Sequence, residues 1–90
     1  MDLATIREKI DAIDAEIIAL LAKRQALMPD VAAYKKAHNL PLYQPDREQA
    51  IILAKTNLGK TLGLDPLLIE TIFLAIFENS RKIQSIDNKA

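Results

Sequence analysis

The stretch that decides the fold is LATIREKIDAIDAEIIALLAKRQALMPDVAAYKKAH, residues 3–38, which contains no glycine. Its apolar residues recur at alternating steps of three and four, so that two interleaved series arise. One series is Ile6, Ile13, Leu20, Leu27 and Tyr34, and the other is Leu3, Ile10, Ile17, Arg24, Val31 and His38. Such a heptad repeat, kept over about five periods, predicts one long helix with Asp2 as its N-cap.

The length of this helix calls for a partner. A straight helix over residues 3–38 is about 54 Å long, whereas a compact chain of 90 residues has a diameter of about 31 Å. One chain therefore cannot cover the apolar stripe of its own first helix. The simplest cover is the same helix of a second, identical chain, so we expect a homodimer.

Pro29 is the exception within the long helix. A proline in a helix interior removes one backbone hydrogen bond and its ring collides with the carbonyl four residues back. We expect a kink between Gln25 and Pro29 without a complete break, because the heptad pattern continues beyond it.

The rest of the chain predicts two more helices. The linker AHNLPLYQP, residues 37–45, is followed by a helix that begins either at Asp46, in a capping box with Gln49, or at Pro45 as its first residue. Gly63 suits a left-handed position at its end, and Asp65 suits the N-cap of the next helix. The predicted fold is all-α, a single domain over residues 1–90 with helices at about 2–38, 45–62 and 66–85.

The composition excludes several function classes. Twelve basic and twelve acidic residues cancel, so no overall field directs the protein to nucleic acid or to an anionic membrane. The chain has no cysteine and a single histidine, His38, so thiol chemistry, disulfides and metal sites built on cysteine or paired histidines are not expected. No signal peptide or membrane span is indicated, and a cytoplasmic protein is expected.

Polar residues interrupt the apolar faces of the first and third helices. Arg24 occupies a stripe position of the first helix, and Lys35, eleven residues later, points within about 20° of it. Ser80 and Gln84 continue the apolar face of the third helix. Arg47 lies in the first turn of the second helix, where the helix dipole disfavours a cation.

Each of these residues has an ordinary structural explanation. Arg24 could pair with a glutamate of a neighbouring helix or extend to solvent, and Lys35 could be a solvated lysine beside the stripe. Ser80 could bond to its own backbone, and Gln84 could lie on a frayed helix end. Taken together, however, the three helices predict a pocket for a small anion with more than one carboxylate, because arginine matches carboxylate geometry.

The predicted pocket lacks a nucleophile with a base, a metal-ligand set and a glycine-rich phosphate loop. Its chemistry must therefore depend on positioning and fixed electrostatics. A rearrangement of bonds within one bound anion fits this inventory better than hydrolysis or group transfer.

Four segments together resemble a known family. They are IREKIDAIDAEIIALLAKR at residues 6–24, Lys35, PDREQ at residues 45–49 and FENSRKIQ at residues 77–84. From Leu3 to Gln84 the chain is similar to the all-helical chorismate mutases, intertwined antiparallel dimers that convert chorismate to prephenate in aromatic amino-acid biosynthesis. The resemblance implies a pericyclic rearrangement without a cofactor or a metal.

The resemblance also implies roles for individual residues. Arg24 and Arg47 would hold the carboxylates of the substrate, and Ser80 would contact one of them. Lys35 and Gln84 would hydrogen-bond the ether oxygen whose bond to carbon breaks.

Three further positions of the site come from the same resemblance. Glu48 would accept a hydrogen bond from the ring hydroxyl, and it completes the implied catalytic set with Lys35, Gln84 and Arg24. Gln44 stands where relatives often carry an aspartate, and its amide can still hydrogen-bond. Arg7 would enter the site from the partner subunit.

Simple geometry supports the placement of Arg7 in the partner's site. Arg7 is seventeen residues from Arg24, which is about 26 Å along one helix. Both residues can contact one ligand only if a second long helix runs antiparallel beside the first.

Two other functions are compatible with the sequence. The same scaffold carries isochorismate-pyruvate lyases, whose sites contain a similar set of cations, although their pattern lacks a glutamate at the position of Glu48. A protein of a different class, a non-catalytic helical dimerisation module, would need only the heptads.

Overall fold

The computed structural model describes residues 1–88 and contains four helical segments. They are α1 (Leu3–Gln25), α2 (Met28–Ala37), α3 (Pro45–Thr61) and α4 (Pro66–Asn88). Residues 1–88 contain no strand, so the all-α prediction is confirmed. None of the helices in this part of the chain is long and apolar enough to span a membrane.

The long first helix is interrupted by a two-residue turn, Ala26 and Leu27, which separates α1 from α2. The expected kink is therefore a break in regular helix. Pro29 explains it, because it offers no N–H to the carbonyl of Gln25 and its ring crowds that carbonyl. The N–H of Leu27 instead donates to the carbonyl of Arg24 at 3.1 Å, a tighter bond across three residues.

The interruption does not redirect the chain. Ala26 and Leu27 both keep right-handed helical backbone angles. The longest dimension of the chain is 55 Å, and a continuous helix over residues 3–37 would measure about 52 Å. The two segments therefore form one rod, and the polar positions on either side of the turn keep nearly the direction that the heptad predicts.

The ends of the helices follow local sequence signals. The carboxylate of Asp2 accepts a hydrogen bond from the N–H of Thr5 at 2.9 Å, as expected for an N-cap. Helix α3 begins at Pro45, so the alternative start at Asp46 is wrong. Gly63 has φ of 78° after α3, and Asp65 caps α4 through the N–H of Leu67 at 2.9 Å.

Helix α4 packs against both α2 and α3. The small core of this packing consists of Met28, Ala32 and Phe77. Helix α1, in contrast, has no buried residue. The radius of gyration is 16.3 Å, whereas a compact chain of this length has a value of about 12 Å.

The apolar stripe of α1 faces solvent along its whole length. Its large side chains are between 39% and 63% exposed: Leu3, Ile6, Ile10, Ile13, Ile17 and Leu20. The uncovered stripe expected from the sequence is therefore present. Exposed apolar surface of this extent marks an interaction site in a water-soluble protein.

Candidate anion-binding site

A cavity of about 280 Å³ lies where α2, α3 and α4 meet the carboxyl end of α1. Met28, Val31 and Phe77 contribute to its apolar wall. Its polar lining consists of Arg24, Lys35, Gln44, Arg47, Glu48, Ser80, Arg81 and Gln84. Seven of the eight positions predicted from the sequence are in that set, and their roles stay predictions.

Arg24 enters the cavity from the last turn of α1. One guanidinium nitrogen, Nη1, donates to Oγ of Ser80 at 3.2 Å and to Oε1 of Gln25 at 2.8 Å. The guanidinium also lies 5.9 Å from the centre of the Phe77 ring. Burial lowers the pKa of Arg24, and no carboxylate of residues 1–86 forms an ion pair with it. Pairing with a glutamate, one of the alternatives, is therefore not observed.

Gln25 is a residue that the sequence reasoning missed. Its amide nitrogen donates to Oδ1 of Asn79 at 2.9 Å and to Oγ of Ser80 at 3.0 Å. It thus joins the end of α1 to α4 and holds Ser80 beside Arg24. The sequence feature that could have indicated a role for Gln25 is its position next to Arg24, just before the proline-induced break.

Lys35 reaches into the cavity from α2. Its Nζ donates to Oε1 of Gln84 and to the carbonyl oxygen of Leu42, both at 2.8 Å. Burial lowers the pKa of Lys35, and the carboxylate of Glu48 partly opposes this effect. Lys35 is therefore a partly desolvated cation rather than a solvated lysine.

Gln84 is only 5% exposed, so it does not lie on a frayed helix end. Its carbonyl oxygen accepts from Lys35, and its amide nitrogen faces Sδ of Met28 at 3.8 Å. Sulfur is a weak acceptor. The amide nitrogen of Gln84 therefore remains a good donor for another group in the cavity.

Glu48 is paired with Arg81, a cation that the sequence reasoning missed. Nη1 of Arg81 donates to both carboxylate oxygens of Glu48 at 2.6 Å. This hydrogen bonding raises the pKa of Arg81. The two residues are 33 positions apart, so their spacing does not reveal the contact. The inward direction of Arg81 could have been predicted from helical spacing, because Arg81 lies one turn from both Phe77 and Gln84 on the inward face of α4.

Arg47, Gln44 and Arg7 complete the predicted set. Arg47, in the first turn of α3, lines the cavity, is exposed and forms no ion pair with residues 1–86. Gln44, just before α3, also lines it. Arg7 is exposed near the start of α1 and does not line the cavity of its own chain.

The charges of the cavity favour an anion. Four cationic side chains and one carboxylate line it, an excess of three positive charges. Since Glu48 pairs with Arg81, three of these cations have no acidic partner among the described side chains: Arg24, Lys35 and Arg47. Two guanidinium groups and an ammonium group match a small molecule with two carboxylates and a further oxygen.

Fold and site thus define an all-helical protein with a cationic cavity. The family model for chorismate mutase type II matches residues 6–85. The chain belongs to this family, as the resemblance indicated.

Curated relatives agree with this assignment. The chain is 37% identical over 82 residues to the chorismate mutase of Methanocaldococcus jannaschii, covering 91% of this chain and 83% of that protein. It is 33% identical over 79 residues to the T-protein of Enterobacter agglomerans, covering 88% and 21%. Against the bifunctional chorismate mutase/prephenate dehydratase of Escherichia coli K12 the identity is 37% over 78 residues, covering 87% and 20%. The chain therefore spans about a fifth of the longer relatives.

Proposed function

We propose that the chain catalyses the intramolecular rearrangement of chorismate to prephenate, a step in the biosynthesis of phenylalanine and tyrosine. The observation that carries this proposal is the composition of the cavity. Among the described side chains its cations Arg24, Lys35 and Arg47 have no acidic partner, and the amide of Gln84 lies in the same cavity. Membership of the family and the name of the Methanocaldococcus relative support it.

The carboxylates of chorismate would bind the two unpaired arginines. Arg24 and Arg47 come from different helices, so they can bind two different carboxylates and hold the substrate in a folded conformation. The hydroxyl of Ser80 accepts from Arg24 and donates to the backbone carbonyl of Ile76 at 2.8 Å, the backbone bonding that was its alternative explanation. It would rotate away from Ile76 to donate to the carboxylate at Arg24. Holding the reacting ends together supplies the proximity that a pericyclic reaction requires.

The ether oxygen would receive its hydrogen bonds from Lys35 and Gln84. Lys35 has three N–H donors, and two of them are directed to Gln84 and Leu42. One N–H of Lys35 and the amide nitrogen of Gln84 therefore remain for the oxygen on which negative charge accumulates as its bond to carbon breaks. Fixed donors in a partly desolvated site stabilise such charge more than they stabilise the ground state.

Glu48 would orient the ring of the substrate. Both of its oxygens accept from Arg81, but each retains a further lone pair. A carboxylate held in this way can accept a hydrogen bond from the ring hydroxyl without taking its proton.

We also propose that two chains form an antiparallel dimer through α1. The exposed stripe is nearly self-complementary about a two-fold axis between Ile18 and Ala19. In that alignment the stripe positions face each other as 3 with 34, 6 with 31, 10 with 27 and 17 with 20. Arg7 of a second copy then lies within one residue of Val31, which lines the cavity. The site would thus gain a fifth cation, which its own chain does not supply.

The activity is tested by incubating the protein separately with chorismate and with isochorismate. We expect prephenate from the first substrate and no pyruvate from the second. Pyruvate from isochorismate alone would identify a lyase on the same scaffold, and no turnover of either substrate by an intact dimer would favour the dimerisation module.

The shared site is tested by complementation between two inactive variants. Arg7→Ala and Lys35→Ala chains are unfolded together and refolded, so that half of the dimers are mixed. Each mixed dimer has one site with both residues intact, and we expect about a quarter of the wild-type turnover. The matched control combines Arg24→Ala with Lys35→Ala, because every mixed site then lacks one residue and activity stays low. No recovery in the first mixture would refute the shared site.

A further inference from the structure

We propose that Arg81 is a positioning residue that holds the carboxylate of Glu48 and thereby prevents it from pairing with Lys35. Lys35 then stays available for the ether oxygen. This inference rests on the proposed function and adds a residue for which neither the sequence pattern nor the resemblance implied a role.

The Arg81–Glu48 contact is strong by geometric criteria. Both N–O distances are 2.6 Å, slightly shorter than the roughly 2.7–2.9 Å that is usual for charge-assisted N–H···O hydrogen bonds. The two side chains are 32% and 19% exposed, so solvent screens the pair only in part. An exposed ion pair would gain little from such a geometry.

Arg81 is also fixed from a second direction. Its guanidinium lies 4.9 Å from the centre of the ring of Tyr43, in the linker between α2 and α3. A cation over an aromatic face is attracted to it. The linker and α3 therefore both hold the Arg81 side chain, and the orientation of Glu48 is determined by a group that is itself restrained.

Without Arg81, Glu48 would have a competing cation in the same cavity. Glu48 and Lys35 both line the cavity, and the influence of Glu48 on the pKa of Lys35 indicates that their charges interact. A direct pair would turn the ammonium group away from Gln84 and reduce its effective charge. The Arg81–Glu48 pair thus separates two opposite charges that the proposed reaction needs apart.

The test compares Arg81→Met with the double variant Arg81→Met/Glu48→Gln, measuring kcat per folded chain for prephenate formation. Methionine keeps an unbranched, flexible side chain, although a shorter one, without the charge. We expect Arg81→Met to lower kcat about tenfold, less than loss of Lys35 itself, because the ammonium group is drawn away rather than removed. KM should change less than kcat.

The double variant distinguishes positioning from other roles. If Glu48 captures Lys35 in Arg81→Met, removal of the Glu48 charge frees Lys35, and kcat returns to the value of Glu48→Gln alone. Arg81→Lys should retain most of the activity, because it keeps a cation beside Glu48. The control Lys82→Met removes the neighbouring exposed cation of α4, whose pair with Glu78 at 3.9 Å lies in solvent, and it should leave kcat unchanged.

Three outcomes would overturn the inference. A double variant as impaired as Arg81→Met would mean that Arg81 does not act through Glu48. An increase in KM with unchanged kcat would assign Arg81 to direct substrate binding. An active wild type with a fully active Arg81→Met would leave Arg81 no role, whereas an inactive wild type would refute the proposed function itself.

Discussion

Replacing Lys35 by alanine is the most direct perturbation of the proposed chemistry. Nζ of Lys35 is a partly buried donor, 2.8 Å from Oε1 of Gln84. In the proposed complex it also donates to the ether oxygen of the substrate. Removing one donor aimed at a developing oxyanion costs about 10²–10³ in turnover, or about 3–4 kcal/mol in the barrier. We therefore expect kcat of Lys35→Ala to fall by at least about 10².

Stability should change much less than turnover. The variant leaves the buried carbonyl oxygen of Gln84 without its donor, which costs about 1–3 kcal/mol. The variant also removes a cation that is partly desolvated in the folded state, as the lowered pKa of Lys35 indicates. Removal of this desolvation cost partly offsets the cost of the lost hydrogen bond. Helicity and Tm therefore serve to confirm that the variant is folded before kcat is compared.

The pH dependence provides a second readout. In the proposed mechanism the ammonium form is the active one, and the pKa of Lys35 is lower than the usual 10.5. Activity of the wild type should therefore be present at neutral pH and be lost as pH rises through that lowered pKa, earlier than for a free lysine. The residual activity of Lys35→Ala should lack this alkaline loss.

The measurement is prephenate formation from chorismate under saturating substrate. Lys55→Ala serves as a matched control, because Lys55 is an exposed lysine of α3 outside the cavity lining, and it should behave as the wild type does. A folded Lys35→Ala with near-normal kcat would refute the assignment of Lys35 to the ether oxygen.

Two further predictions concern Arg47 and the exposed face of α1. Arg47→Ala should lose most of the activity but melt no lower than the wild type, since the helix loses a cation from its positive end, a gain of about 0.3–1 kcal/mol; a clear drop in Tm would contradict this. Ile17→Lys, next to the proposed two-fold axis, should yield monomers in analytical ultracentrifugation and little activity, because it places two like charges in an apolar contact. Ala15→Lys, off the stripe, should remain dimeric, and a dimeric Ile17→Lys would argue against the proposed interface.

The sequence was most informative about local structure. The heptads, Pro29, Gly63 and the cap at Asp65 each specify a backbone feature through short-range sterics or hydrogen bonds, and the observed elements follow them. The extent of the break at Ala26 and Leu27 was underestimated, because the heptad continued across it. A continuous apolar pattern indicates which way the side chains point, but it does not guarantee regular backbone hydrogen bonds along the helix.

The arrangement of the cavity was predictable only in part. Helical spacing indicated which positions face inward, which is why Arg24, Lys35, Ser80 and Gln84 line one cavity. Which charges pair inside it depends on the approach of α3 to α4, and nothing in the linear order of Glu48 and Arg81 encodes that distance. Inward-facing residues can thus be predicted from a single sequence, whereas their pairing partners can be identified only when the packing of the helices is known.

The hydrogen bonds around Lys35, Gln84 and Leu42 have a consequence for ligand recognition. Among the side chains of residues 1–86 no buried nitrogen or oxygen lacks a partner. A ligand that hydrogen-bonds to these groups also gives up its own hydrogen bonds to water, so each new bond yields little net free energy. The unbalanced positive charge is different, because only an anion can neutralise it. We therefore expect the affinity of the cavity to depend more on the negative charge of a ligand than on its number of polar groups. An uncharged ester of similar shape should bind far more weakly than the dicarboxylate.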